Sequence, residues 1–174
     1  MPWSDHHRRA ARYNRWINTN LYLACQQLSE QQFCSDQKLF FHSVCGTLNH
    51  LLITDLLWLK RLANSYPILE ELRDIEFPPK LNGTISTELD QLWELRQRID
   101  DVMIRWTDLL RQDDAKAVIE YTSTAGTEYA KPLDATLQHL FNHQTHHRGQ
   151  VTAVLGQLGV DYGETDLLFM PGEG

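Results

Sequence analysis

The chain has 174 residues, 42% of them apolar, which is enough for one sizeable hydrophobic core and argues against a two-domain or repeat architecture. Its 16 Lys+Arg against 23 Asp+Glu give a formal charge of −7, which opposes long-range attraction to nucleic acid or to an anionic membrane. The three cysteines, Cys25, Cys34 and Cys45, are odd in number and lack C-x-x-C spacing, so no disulfide framework is expected.

Ser4 to Leu28 holds no proline or glycine and carries Tyr13, Trp16, Ile17, Leu21, Ala24 and Leu28 at helical spacing, which predicts a first amphipathic helix opened by Ser4. The short basic cluster His6-His7-Arg8-Arg9 with Arg12 is expected on its solvated face. After a polar stretch, Ser29 to Lys38, a second helix is predicted from Ser43 to Leu62, apolar nearly all round and therefore central and buried. Its most apolar part, Leu51 to Leu59, is interrupted by Thr54 and Asp55 and falls short of the ~20 residues of a membrane span. With no signal-peptide pattern at the start, the expectation is a soluble cytoplasmic protein.

Pro67, Pro78, Pro79 and Gly83 make Ala63 to Ser86 a long irregular connection, of a kind that often carries function. Helical spacing returns in Thr87 to Gln112, with Thr87 or Ser86 as N-cap. The β-branched and aromatic residues around Ala125-Gly126 predict a short hairpin over Val118 to Tyr129. Pro132 suits the first position of a last long helix that runs to about Leu158 and stops at Gly159, before a tail ending at Gly174. The expectation is one domain, residues 1–174: an all-α four-helix bundle with a long connection between the second and third helices and a small β-hairpin before the fourth.

Bundles of this kind build their sites from polar side chains on facing helices. Four of the eight histidines, His139, His143, His146 and His147, fall within nine residues of the last helix. At about 100° per residue, His147 lies about 40° from the centre of the apolar stripe and His143 about 80° on the same side, whereas His139 and His146 lie beyond about 120°. His143 and His147 are therefore the pair aimed inward, and an i, i+4 histidine pair is a common chelate for Zn²⁺ or Ni²⁺. The spacing alone leaves open ordinary core-edge histidines bonded to backbone or water. Gln144 follows His143, so there is no H-E-x-x-H with its general-base glutamate, and no Glu-x-x-His occurs to build a carboxylate-bridged di-iron centre. Among candidates for a third ligand, His50 inside the buried second helix is preferred to His42 at its start, because a buried imidazole needs partners for its ring nitrogens.

The segments Gly46-Thr47-Leu48-Asn49-His50-Leu51-Leu52 with Asp55, Tyr13-Asn14-Arg15-Trp16, and above all Asn142-His143-Gln144-Thr145-His146-His147-Arg148-Gly149-Gln150 resemble the DinB-like (YfiT-like) family of metal-dependent proteins. The resemblance covers nearly the whole chain. It implies a four-helix bundle holding one divalent ion, Zn or Ni, through His50, His143 and His147, frequently as a homodimer. It also implies a small-molecule substrate and, in some members, a thiol-dependent transferase or isomerase using a low-molecular-weight thiol. No residue is assigned as catalytic. Three neutral histidines leave an open fourth position, as in catalytic zinc sites, so an enzyme and a non-catalytic metal-binding stress-response protein are both carried forward. Asp55 could orient a ligand histidine, serve as base, or pack helices.

Overall fold

The computed structural model describes residues 1–172; Glu173 and Gly174, the end of the expected tail, lie outside the described residues. Four long helices form the body: α1 (Trp3–Cys25), α3 (Val44–Ala63), α4 (Leu89–Leu109) and α5 (Leu133–Gln157). A short α2 (Glu30–Cys34) lies in the stretch read as a polar connection. It forms because Ser29 and Gln32 make a reciprocal capping box and Phe33 is buried beneath it. The hairpin pairs β1 (Val118–Thr122) with β2 (Glu128–Pro132), antiparallel, in a register that sets Ile119 opposite Lys131 and Tyr121 opposite Tyr129. Strand β2 runs directly into α5, so Pro132 is the cap residue and the helix proper starts at Leu133.

Both α1 and α3 pack on α4 and on α5, which puts α1 and α3 on one diagonal of the bundle. Ser43 caps α3, its hydroxyl accepting from the Gly46 N–H, and Leu48, Leu52, Leu56, Leu59 and Leu62 are each at most 1% exposed. Burying a leucine of this kind contributes ~1.5–3 kcal/mol, so these five residues of α3 are a large contribution to core stability. The long connection is less irregular than its prolines suggest: Pro67–Leu72 is a 3-10 turn that buries Leu69 and Leu72 against the bundle. At the start of α4 the expected cap is displaced: Glu88 occupies the cap position without a side-chain bond, and Ser86 Oγ, two residues earlier, accepts from the Glu88 N–H.

The basic cluster of α1 is not simply a solvated face. Arg12 pairs with Asp108, and Arg8 donates to the Leu110 carbonyl, which ties α1 to the end of α4. His7 is fully buried between Trp3 and Phe141, with Nε2 3.3 Å from Asp134. An edge-on tryptophan and a stacked phenylalanine bury the imidazole, an outcome that charge counting along the chain does not register.

The bundle core also holds a buried polar network touching all four long helices. Asp55 of α3 accepts from Arg96 Nη1 of α4 at 2.6 Å and from Gln144 Nε2 of α5 at 2.5 Å. Arg96 Nη2 lies 2.8 Å from Asp100, and Asp100 accepts from Asn14 and Asn18 of α1. Arg148 of α5 closes the set by donating to Asn14 and Asn18. Burial pushes the Asp100 carboxyl up, although Arg96 and Asn18 oppose the shift, and it lowers Arg148 to about 10. Asp55 is thus a helix-packing residue in this fold.

Candidate metal centre

His50 comes from the second turn of α3, and His143 and His147 from successive turns of α5, which packs beside it. Their rings converge: His50 to His147 is 4.7 Å between centroids, His143 to His147 4.5 Å and His50 to His143 5.0 Å. One nitrogen from each lies within 4.8 Å of the others, and this is the one such group of metal-ligating side chains among the described residues. His139 and His146 are exposed, in keeping with their outward wheel positions, and His42 does not join the group.

Hydrogen bonds determine which nitrogens face inward. His50 Nδ1 is 2.9 Å from the Leu81 carbonyl oxygen, and His147 Nδ1 is 2.8 Å from Gln150 Oε1. Carbonyl oxygens only accept, so both rings carry their proton on Nδ1, which leaves Nε2 of each ring bare. His50 Nε2 and His143 Nε2 are 3.1 Å apart. Two ligands on a tetrahedral ion at 2.0–2.1 Å would be separated by about 3.3 Å, so this pair already stands at the required spacing. Burial holds all three imidazoles below their ordinary protonation range. The effect is largest for His143, lowered to about 3 by burial first and by the neighbouring histidines second. Neutral rings are the form that binds metal, so the donor set fits a divalent ion held by three nitrogens.

The long connection supplies part of this arrangement through Asn49. Its side-chain oxygen accepts from the Ile85 and Ser86 N–H groups, while its amide donates to the Ser86 carbonyl at 2.8 Å. That clamp fastens the connection against α3 beside His50 and brings in the Leu81 carbonyl. Phe41 covers the other side, stacked on His50 at 3.8 Å and edge-on to His147 at 5.4 Å. Its segment turns through Lys38 and His42, both with positive φ. It runs so close to α3 that a Cβ at Gly46 would collide with the Phe41 carbonyl oxygen. Leu81, Phe41 and the clamping role of Asn49 escape sequence reasoning because each acts across more than eight residues; Gln150, at i+3 from His147, was accessible to it.

The fold and these side chains define a helical bundle with a three-histidine group that could hold a metal ion. The model of the DinB family matches residues 3–173, and the chain belongs to that family. It is 23% identical over 159 residues to Protein DinB of Bacillus subtilis (strain 168), covering 88% of this chain and 87% of that protein. A crystal structure of a DinB-like protein from Bacillus cereus ATCC 10987 is similar in fold, with a TM-score of 0.53 at 16% identity over 85% of this chain and 89% of the other.

Proposed function

We propose that this protein binds one divalent ion, Zn²⁺ or Ni²⁺, through Nε2 of His50, His143 and His147, and that it is a metal-dependent enzyme acting with a low-molecular-weight thiol, as an S-transferase or isomerase. The observation that carries the metal reading is the pair of Nδ1 hydrogen bonds that leave Nε2 of His50 and His147 bare within a group of three converging rings, His50 Nε2 lying 3.1 Å from His143 Nε2. A bound ion with three protein ligands supplies Lewis acidity at its open position. The chain's own residues orient the rings, keep them neutral and shield one side with Phe41. For the nucleophile, Cys25 and Cys45 are poor candidates, since burial pushes both thiols up to about 12. An exogenous thiol is a better source than either buried cysteine, exposed Cys34 is not part of the three-histidine group, and the family resemblance points the same way. It also supports a homodimer, and the three free thiols suit a reducing cytoplasm. No helix among the described residues is long and apolar enough to cross a membrane.

Elemental analysis of protein purified without added metal should find one equivalent of a divalent ion. Thiol transfer to an electrophile such as 1-chloro-2,4-dinitrobenzene should vanish on chelation and return with Zn²⁺ or Ni²⁺. A metal-loaded protein that turns over no thiol in a broad panel, and melts on chelation, would instead be the non-catalytic metal-binding protein.

A further inference from the structure

A second feature lies one imidazole away from the three-histidine group. Between the hairpin, α3 and the first turns of α5 is a cleft of about 240 Å³, with Trp58 and Tyr121 as its aromatic walls and Lys131 and His139 also in its lining. The Trp58 and Tyr121 rings meet edge to face at 4.9 Å. His139 packs on Trp58 at 5.5 Å and stands 5.8 Å from His143, so the cleft points towards the metal centre.

The pleat of the hairpin sorts charge between its faces. The register puts Tyr121, Tyr129 and Lys131 on the same face as the buried Ile119, turned towards the helices, and Glu120 and Glu128 on the opposite face. Lys131 Nζ lies 5.6 Å over the Tyr129 ring, and the Arg61 guanidinium lies 4.9 Å from the Trp58 ring centre and 4.6 Å from that of Tyr121. Among the described residues neither cation has a carboxylate partner; Arg61 donates instead to the Thr122 carbonyl. In a chain of net charge −7 this is a local cationic surface around an aromatic slot. Arg61 over the Trp58 and Tyr121 rings, and Lys131 over the neighbouring Tyr129 ring, offset the negative faces of these rings and favour an anionic planar guest. The volume is below the usual ~300–1,000 Å³ of drug-sized sites, which suits a single ring with one short substituent.

We propose that this cleft is a subsite for a single-ring aromatic carboxylate, its ring against Trp58 and Tyr121 and its carboxylate at Lys131, with the far edge of the ring directed past His139 to the metal centre. The binding half stands on the cleft alone, and the direction towards chemistry rests on the metal reading above. Benzoate and benzamide, which differ in charge and little in shape, are the probes, titrated into the full chain and followed by the Trp58 indole N–H and His139 ring signals in NMR. In chelated wild type, benzoate should shift both saturably and bind about tenfold more tightly than benzamide. Lys131→Gln, at an exposed strand position that leaves the fold intact, should remove that difference, while Glu120→Gln on the opposite pleat should not. His147→Ala should bind benzoate like wild type, so a failed metal site and a failed subsite give different results. Equal affinity for benzoate and benzamide, absence of a saturable shift at Trp58, or benzoate binding that disappears on chelation would overturn the proposal.

Discussion

Replacing Arg96 by methionine keeps the length and apolar stem of the side chain and removes its charge. In wild type the guanidinium touches Asp55 at 2.6 Å and Asp100 at 2.8 Å, with all three side chains at most 2% exposed. The variant would leave two carboxylates in the core without their cation, and removing one partner of a buried pair costs about 3–5 kcal/mol. Asp55 keeps the Gln144 amide and Asp100 keeps Asn14 and Asn18, which favours the lower part of that range. For a chain of this size the loss corresponds to a melting point lowered by roughly 6–20 °C in thermal unfolding, and urea unfolding at neutral pH reads the free energy itself. Burial already holds the Asp100 carboxyl above its unfolded value, and losing Arg96 removes the main opposing influence. A carboxyl raised in the folded state takes up its proton there first, so the deficit should narrow as pH falls. A deficit under about 1 kcal/mol, the size expected of an exposed pair, or one that widens on acidification, would refute the account of this core.

Alanine at His50, His143 or His147 should abolish stoichiometric metal binding with the fold retained, whereas His139→Ala and His146→Ala should keep it; equal loss from His146→Ala and His147→Ala in elemental analysis would contradict the ligand set. Gly46→Ala should drive the Phe41 segment off α3 and cost about 1–3 kcal/mol, so an unchanged melting temperature would count against the close approach described. His7 supplies a pH test, because burial holds it below its ordinary 6.5 despite Asp134. The unfolded chain takes up that proton near 6.5 and the folded chain only lower, so stability should fall as pH drops through 6.5. His7→Gln should flatten the slope of urea midpoints between about pH 8 and pH 5, and an unaltered slope would remove His7 as its source.

The helices were legible because their apolar residues recur with the helical period, and His143 and His147 because the wheel of α5 separates them from His139 and His146. Helix ends were less so: Leu28 lies beyond α1, and α2 went unread because its capping box spans only Ser29 to Gln32 within a polar run. Burial favours His50 in the sequence, but a helix apolar on every side does not show its direction; the Leu81 carbonyl and the Phe41 ring determine it, through contacts 31 and 9 residues away in sequence. The polar core was the hardest part to see. Asp55, inside the buried second helix, already offers helix packing as one of its roles, but Asn14, Asn18, Arg96 and Arg148 look like surface residues until α1, α3, α4 and α5 are assembled around them.

Gln144 and Arg148 each follow a histidine of the site by one residue, and both are held by the buried polar core and not by the histidines themselves. The alignment of α5 against α3, through Gln144, and against α1, through Arg148, is therefore set before any ion arrives, since a slip of α5 by one residue would break both anchors. A site preorganised in this way selects its ion by the separation and direction of its donors, with little reorganisation on loading. It also uncouples ligand identity from foldedness. Over evolutionary time a histidine on α5 can be exchanged for another donor, or lost, while the frame that aims the position survives, so one scaffold can acquire or abandon metal chemistry without first having to refold.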